Sequence, residues 1–428
     1  MRERLPAFEF PDYRRLWWSA FFSTASNWTM ILARGWLIHE LTGSAAWVGA
    51  ATFAGMSPYL FVGPIGGALA DRADRRRLVI AANSVSILAA VALMAITLGD
   101  LVEPWHIVAL AGLGGFGRAL GTPPEEALIP NLVPREHLMN AVAMRGISNH
   151  GSRLAGPLFG AIVLSAIGAG WVFALSAGFL LLSNAQVARI RYRPSAQDVR
   201  ERQRRPLSLS AVARELREGL ACVEGDPRLF ITIGLVTLHC GSTMAFDSMM
   251  PTLATNVGGA SNTYSGILIG IGAGAIVATL LVSMMREEAA QGRTLAAVGV
   301  GSGLSMLVLG FAVNPAMAVA GGVLAGATQA SYMAISATLV QRVVPDELRG
   351  RVMSIYVMLA AGHMAFVNFG FGWFADSVGV RVLMIVPGLL WTVFFLAAVV
   401  WLGEMRHVVR TGSFVPRRPL ATAVAAEA

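Results

Sequence analysis

Asp247 stands in an apolar stretch, about residues 229–252, that holds no other Asp, Glu or Arg. A charge at mid-membrane costs roughly 2.5–3.5 kcal/mol on insertion scales. A carboxylate kept there is a candidate for taking up a proton on one side and releasing it on the other. His239, Thr243 and Asp247 recur at steps of four, which places them in one broad sector of a helix. Ser23, Asn27 and Arg34 share a face of an earlier apolar stretch by similar spacing, and Arg118, Arg145, Asn149, Arg153 and His363 are further polar residues inside apolar runs. Asn27, Arg34, Arg118, Asn149, Arg153, His239, Asp247 and His363 therefore form the candidate set for binding a small amphipathic substrate and for moving protons. Simpler accounts compete at single sites: Arg34 could snorkel to headgroups, and His363 stands alone as a packed histidine would. Trp28, Trp36 and Phe246 could wall the same space or sit as ordinary interfacial aromatics.

The elements that must position these residues are long apolar helices. The chain has 428 residues, 55% hydrophobic and 14% charged, where an ordinary soluble domain carries roughly 25% charge. Uncharged windows near 20 residues recur from end to end, long enough to cross about 30 Å of hydrocarbon. Spans are expected at about 16–39, 46–70, 78–98, 105–126, 138–165, 171–190, 229–252, 263–285, 294–312, 316–340, 350–375 and 380–402, an all-α polytopic membrane protein. The 46 glycines suit helices that pack closely in lipid. The charged start, with Pro6 and Pro11 and then a span-length run, does not read as a cleavable signal. Metal-ligand spacings, nucleotide loops and nucleophile motifs are not found, so neither an enzyme nor an ATP-driven pump is expected, and no cofactor. Cys222 and Cys240 suggest neither a disulfide nor a metal site.

All 33 basic residues are arginine and the net charge is +8. In a soluble protein that balance would suggest nucleic acid; beside membrane spans it sets topology. With the spans above, 28 arginines fall on one side and Arg381 alone on the other, while Arg34, Arg118, Arg145 and Arg153 lie within spans. The arginine-rich side, with both termini, is expected to face the cytoplasm of a bacterial inner membrane. The opposite loops carry Asp100, Glu103 and Asp376.

The chain also repeats. Val133-Pro134-Arg135-Glu136 returns as Val344-Pro345-Asp346-Glu347, and Ser165-Ala166-Ile167-Gly168 as Asp376-Ser377-Val378-Gly379, both at an offset of 211. A constant offset predicts two equivalent six-span halves: residues 1–190 and 229–404, joined by a cytoplasmic linker, 191–228, and followed by a tail, 405–428. Within the linker Val212, Leu216, Leu220 and Val223 form an apolar stripe, as on an amphipathic surface helix or a solvated linker helix.

Gly66-Gly67-Ala68-Leu69-Ala70-Asp71-Arg72-Ala73-Asp74-Arg75-Arg76-Arg77-Leu78 closes one apolar run and opens the next. It resembles motif A of the major facilitator superfamily. Gly156-Pro157-Leu158-Phe159-Gly160 resembles motif C, associated in that superfamily with exporting antiporters, and Arg118 resembles the motif B arginine implicated in proton coupling. Leu41-Thr42-Gly43-Ser44, Leu128-Ile129-Pro130-Asn131-Leu132-Val133-Pro134 and Arg214-Glu215-Leu216-Arg217-Glu218-Gly219-Leu220 are similar to the branch that contains the enterobactin exporter, macrolide efflux proteins and lysophospholipid transporters. The resemblance implies twelve transmembrane helices in two pseudo-symmetric halves that rock around a central site. It implies that Gly66 and Gly67 admit close helix approach. It also implies that Asp71, near Asp346 to Arg351, works with Arg72, Arg75 and Arg76 as a latch between the halves. The turn from Arg286 to Arg293 does not reproduce the motif.

The expected function is secondary transport: export of a small amphipathic molecule, such as a drug or siderophore, driven by the proton gradient. Uptake, or lysophospholipid transport, is the alternative within the fold; a non-transporting receptor is the alternative outside it. The expected partners are the cargo and the lipid bilayer, with no nucleic acid, for a monomer. Arg34 and Asp247, 213 residues apart, occupy nearly equivalent points of the two halves and are expected to pair in at least one state.

Overall fold

The computed structural model describes residues 6–70, 72–192, 209–285 and 287–415. Asp71, Arg286, most of the linker's basic tract and the end of the tail lie outside the described residues, and with them the latch expected of Asp71.

Local sequence sets the helix limits. Helix α1 (Pro11–Thr42) begins on a proline, whose missing N–H costs nothing at a helix start. It ends at Gly43, whose φ of 62° lets its N–H reach back to the His39 carbonyl. Ser44 caps α2 (Ala45–Met56), and Pro58 ends that run and opens α3 (Pro58–Ala70) in line with it. Asp74 accepts from the Arg76 and Arg77 amides to start α4 (Arg75–Leu98). Next come α5 (Pro104–Leu132), α6 (Leu138–Ile167) and α7 (Ala169–Ala188). The linker helix α8 (Leu209–Gly225) packs on the start of α14, where Glu218 pairs with Arg351. Val223 is buried there while Leu220 stays exposed, and burial, with Asp226 nearby, raises the Cys222 thiol above its usual range.

The second half repeats this plan: α9 (Pro227–His239), α10 (Met250–Asn256), α11 (Ala260–Ser283), α12 (Glu288–Gly310), α13 (Pro315–Val343), α14 (Asp346–Val378) and α15 (Val380–Trp401), with a short terminal α16 (Gly403–Thr411). The continuous span expected over 229–252 is broken. A π-helical turn, Cys240–Met244, and a 3-10 turn, Asp247–Met249, separate α9 from α10. Pro251 has no N–H to bond the Asp247 carbonyl, so one helix cannot run through. The turns carrying the sequence repeat match in backbone: Gly168 has φ 90° and Gly379 φ 92°.

Nine of these rods, counting α2 with the start of α3 and α9 with α10 as single rods, are long and apolar enough to cross a membrane. The other three long helices, α1, α5 and α6, hold Arg34, Arg118, Arg145 and Arg153. Outward-facing side chains are apolar: Phe61 is 71% exposed and Trp373 65%, which lipid tolerates and water does not.

Within the first half α1 packs on α6 and α7, and α4 on α5 and α7; within the second α11 packs on α13, and α12 on α13 and α15. The halves meet chiefly through α2 with α14 and α6 with α11. Gly372 allows α14 onto α2, where a Cβ would lie 2.6 Å from the Ala45 carbonyl oxygen. Gly272 allows α11 onto α6, where a Cβ would lie 2.9 Å from that of Arg153. At the arginine-poor end one apolar core joins both halves, from Leu37 and Val48 to Leu253 and Ala375. At the arginine-rich end each half has its own core, one around Leu128 and Val187, the other around Leu339 and Val352.

Candidate functional site

A cavity of about 530 Å³ lies against the first half. Helix α1 supplies Ser23, Asn27 and Arg34, α5 supplies Arg118, Glu125 and Glu126, and α6 supplies Arg145 and Asn149; Val357 of α14 is its lining from the second half. From Ser23 to Arg34 the helix rises about 17 Å, so the cavity straddles the middle of α1, and Glu126 extends it toward the arginine-rich end.

The arginine-poor end is shut. The Ser44 hydroxyl donates to Asp376 Oδ2 at 2.5 Å and the Ala45 amide to Oδ1 at 3.2 Å. A carboxylate at the start of α2 suits the partial positive charge of a helix N-terminus. Deeper in, the buried Tyr264 of α11 donates to the Ile31 carbonyl at 3.3 Å, and Gly35 leaves room for its ring.

Charge inside the cavity is unevenly paired. Arg145 reaches both Glu125 (3.6 Å) and Glu126 (3.2 Å). Glu125 is buried, while the Glu126 side chain is 51% exposed toward the arginine-rich end. Arg118 donates to the Ser23 carbonyl at 3.2 Å and Arg34 to the Met30 carbonyl of its own helix at 3.2 Å. Among the described residues neither has a carboxylate within 4 Å.

Of the eight residues expected to bind or couple, Asn27, Arg34, Arg118 and Asn149 line the cavity. Arg153 and Asp247 lie apart, each other's main electrostatic partner. The Arg153 guanidinium sits 4.6 Å over the Trp28 ring, a cation–π contact. Asp247 makes no hydrogen bond among the described residues, and the pair expected between Arg34 and Asp247 is not made in this conformation; Tyr264 faces both charges. His239 is fully buried in the second half, stacked 4.1 Å from Tyr332 and edge-on to Trp391, with no partner for either ring nitrogen among the described residues. The broken helix takes it out of Asp247's sector. His363 presses on Gly241 at the π-turn rather than lining the cavity.

Glu125 and Glu126 fall at the end of the span expected over 105–126, where charge is ordinary, and so are absent from the expected set. Pro123 and Pro124 stand just before them, inside a helix that continues to Leu132. Those prolines release the Ala119 and Leu120 carbonyls, and Gly66 packs on these same two oxygens, 3.3 and 2.9 Å from where its Cβ would stand. Gly67 has nothing within 4 Å and is not needed for that approach. Two of the motif A arginines bind toward helix C-termini of their own half. Arg75 donates to the Ala127 carbonyl (2.6 Å) and to Asn131 (2.5 Å), and Arg76 to the Ala188 carbonyl (2.9 Å), where cations are favoured. The Arg72 Nη2 is buried with no hydrogen-bond partner among the described residues. In the motif C-like stretch, Gly156 and Gly160 admit α1: Thr29 donates to the Gly156 carbonyl at 3.0 Å, and Leu32 lies 2.9 Å from a Cβ at Gly160. Pro157 sits inside α6, buried.

The same fold occurs in a D-xylose-proton symporter of known structure, at a TM-score of 0.72 and 15% identity over 96% of this chain and all of that one. The macrolide efflux protein A of Streptococcus pyogenes is 24% identical over 82% of this chain and 86% of its own. The enterobactin exporter of Citrobacter koseri is 25% identical over 81% of each. The family model described as transmembrane secretion effector matches residues 5–427, and the chain therefore belongs to that family, within the major facilitator superfamily.

Proposed function

We propose that the protein is a secondary transporter that exports a small amphipathic molecule across the bacterial inner membrane in exchange for protons. All twelve rods cross, the arginine-rich end faces the cytoplasm, and residues 1–190 and 229–404 move as two halves. The observation that carries this reading is the division of the core: one shared core at the arginine-poor end and two separate cores at the other. That is the arrangement of a binding cavity closed outside and reachable from the cytoplasm, as alternating access requires. The relatives described as macrolide efflux protein and enterobactin exporter support export and an amphipathic cargo. In everted membrane vesicles with an imposed proton gradient, drugs, siderophores and lysolipids are offered in turn. At least one drug or siderophore is expected to accumulate, and collapse of the gradient should abolish its accumulation. Movement of none, or gradient-independent movement, would overturn the proposal.

A further inference from the structure

The cavity's charges point to the class of cargo. Three arginines, Arg34, Arg118 and Arg145, line it against two glutamates, Glu125 and Glu126. Arg145 already pairs with both glutamates, through a hydrogen bond to Glu126 at 3.2 Å and an ion pair with Glu125 at 3.6 Å. Arg118 feels Glu125 only at longer range, and its hydrogen bond goes to a backbone carbonyl; Arg34 bonds a carbonyl of its own helix. Each therefore keeps guanidinium N–H groups for a guest. A guanidinium is a planar fork matched to carboxylates and similar oxyanions. Asn27, Asn149 and Ser23 line the same cavity and can hydrogen-bond a polar guest, while Met30, Tyr59 and Leu180 supply apolar wall.

Resting on the transport reading above, we propose that the site selects acidic amphiphiles, with Arg34 and Arg118 as the groups that recognise the cargo's anionic oxygens. A cationic cargo would have to compete with Arg145 for the glutamates and would face two unneutralised arginines. A neutral cargo would leave those arginines as they are and gain nothing from them.

Three dansyl probes share one aromatic body and differ in charge: dansylglycine is an anion at neutral pH, dansylamide is neutral and dansylethylenediamine is a cation. Their affinities for the purified full-length protein in detergent are read from fluorescence enhancement. The anion is expected to bind about tenfold tighter than the amide, equivalent to about 1.4 kcal/mol, and the cation weakest. Equal affinities, or a preference for the amine, would overturn the proposal with no substitution needed. Arg34→Gln and Arg118→Gln should each shrink the anion-to-amide ratio, while Arg34→Lys and Arg118→Lys should keep most of it. A Lys variant that behaves like its Gln counterpart would overturn charge as the cause. Anion preference without gradient-driven flux in vesicles would sink the transport reading and leave this one standing; flux without anion preference would do the reverse.

Discussion

Arg145→Gln is expected to be the most damaging single substitution in the cavity, lowering stability by about 3 kcal/mol, the low end of what breaking a buried ion pair costs. Arg145 is the sole cation within 4 Å of Glu125 among the described residues. Its own side chain is 17% exposed and that of Glu125 10%, so water screens the pair little. Removing the arginine strands Glu125 with Glu126 beside it. Cavity water and the exposure of Glu126 soften the loss, which is why the low end applies. Glu125→Gln in the same chain should return most of the stability, because a neutral amide no longer needs the arginine. Thermal unfolding of the wild type, both single variants and the double variant in one detergent measures the coupling. Additive losses, with no recovery in the double variant, would show that the three side chains do not act as one cluster.

Asp247→Asn is expected to remove gradient-driven accumulation while leaving cargo exchange across the membrane. The carboxylate lies where the helix is broken and, among the described residues, makes no hydrogen bond that would fix it in one protonation state. Its electrostatic partner Arg153 also lies over the Trp28 ring, so the arginine does not bind the carboxylate alone. With one proton exchanged per cargo, a gradient of one pH unit supports about tenfold accumulation, equivalent to about 1.36 kcal/mol. The asparagine variant should fall to no accumulation at any gradient. If it accumulates cargo as the wild type does, the proton is carried elsewhere, and Glu125 becomes the first residue to examine.

Much of the fold was legible because hydrocarbon imposes long apolar runs and arginines mark one side of them. The 211-residue offset was legible for the same kind of reason: Gly168 and Gly379 answer one steric demand twice. The candidate site was only half legible. Arg34 and Arg118 were found because charge in an apolar run is conspicuous. His239 was misplaced in sector because four-residue spacing assumes an unbroken helix, and the break follows from Pro251 and a π-turn that periodicity does not reveal. Glu125 and Glu126 were passed over because a span end is where charge is ordinary. Their inward placement depends on α5 continuing to Leu132 despite Pro123, Pro124 and Pro130. Motif A was recognisable as a pattern, but that Arg75 and Arg76 hold helix ends of their own half follows from tertiary contacts alone.

Alternating access is the central claim, and two distances, each measured in its own double-labelled variant, test it most directly. Spin labels at Leu101 and Val313, exposed on the first and second halves at the arginine-poor end, report that side. Labels at Arg135 and Gln341, exposed at the other end, report the arginine-rich side. Cys222 and Cys240 are replaced by serine in both double-labelled proteins. Pulsed electron–electron double resonance is recorded in lipid nanodiscs, with and without Asp376→Ala, which removes the carboxylate that ties α14 to α2. The substitution should populate a state in which the Leu101–Val313 distance lengthens while the Arg135–Gln341 distance shortens. Two distances that stay fixed, or that lengthen together, would contradict a rocking of two halves about the cavity.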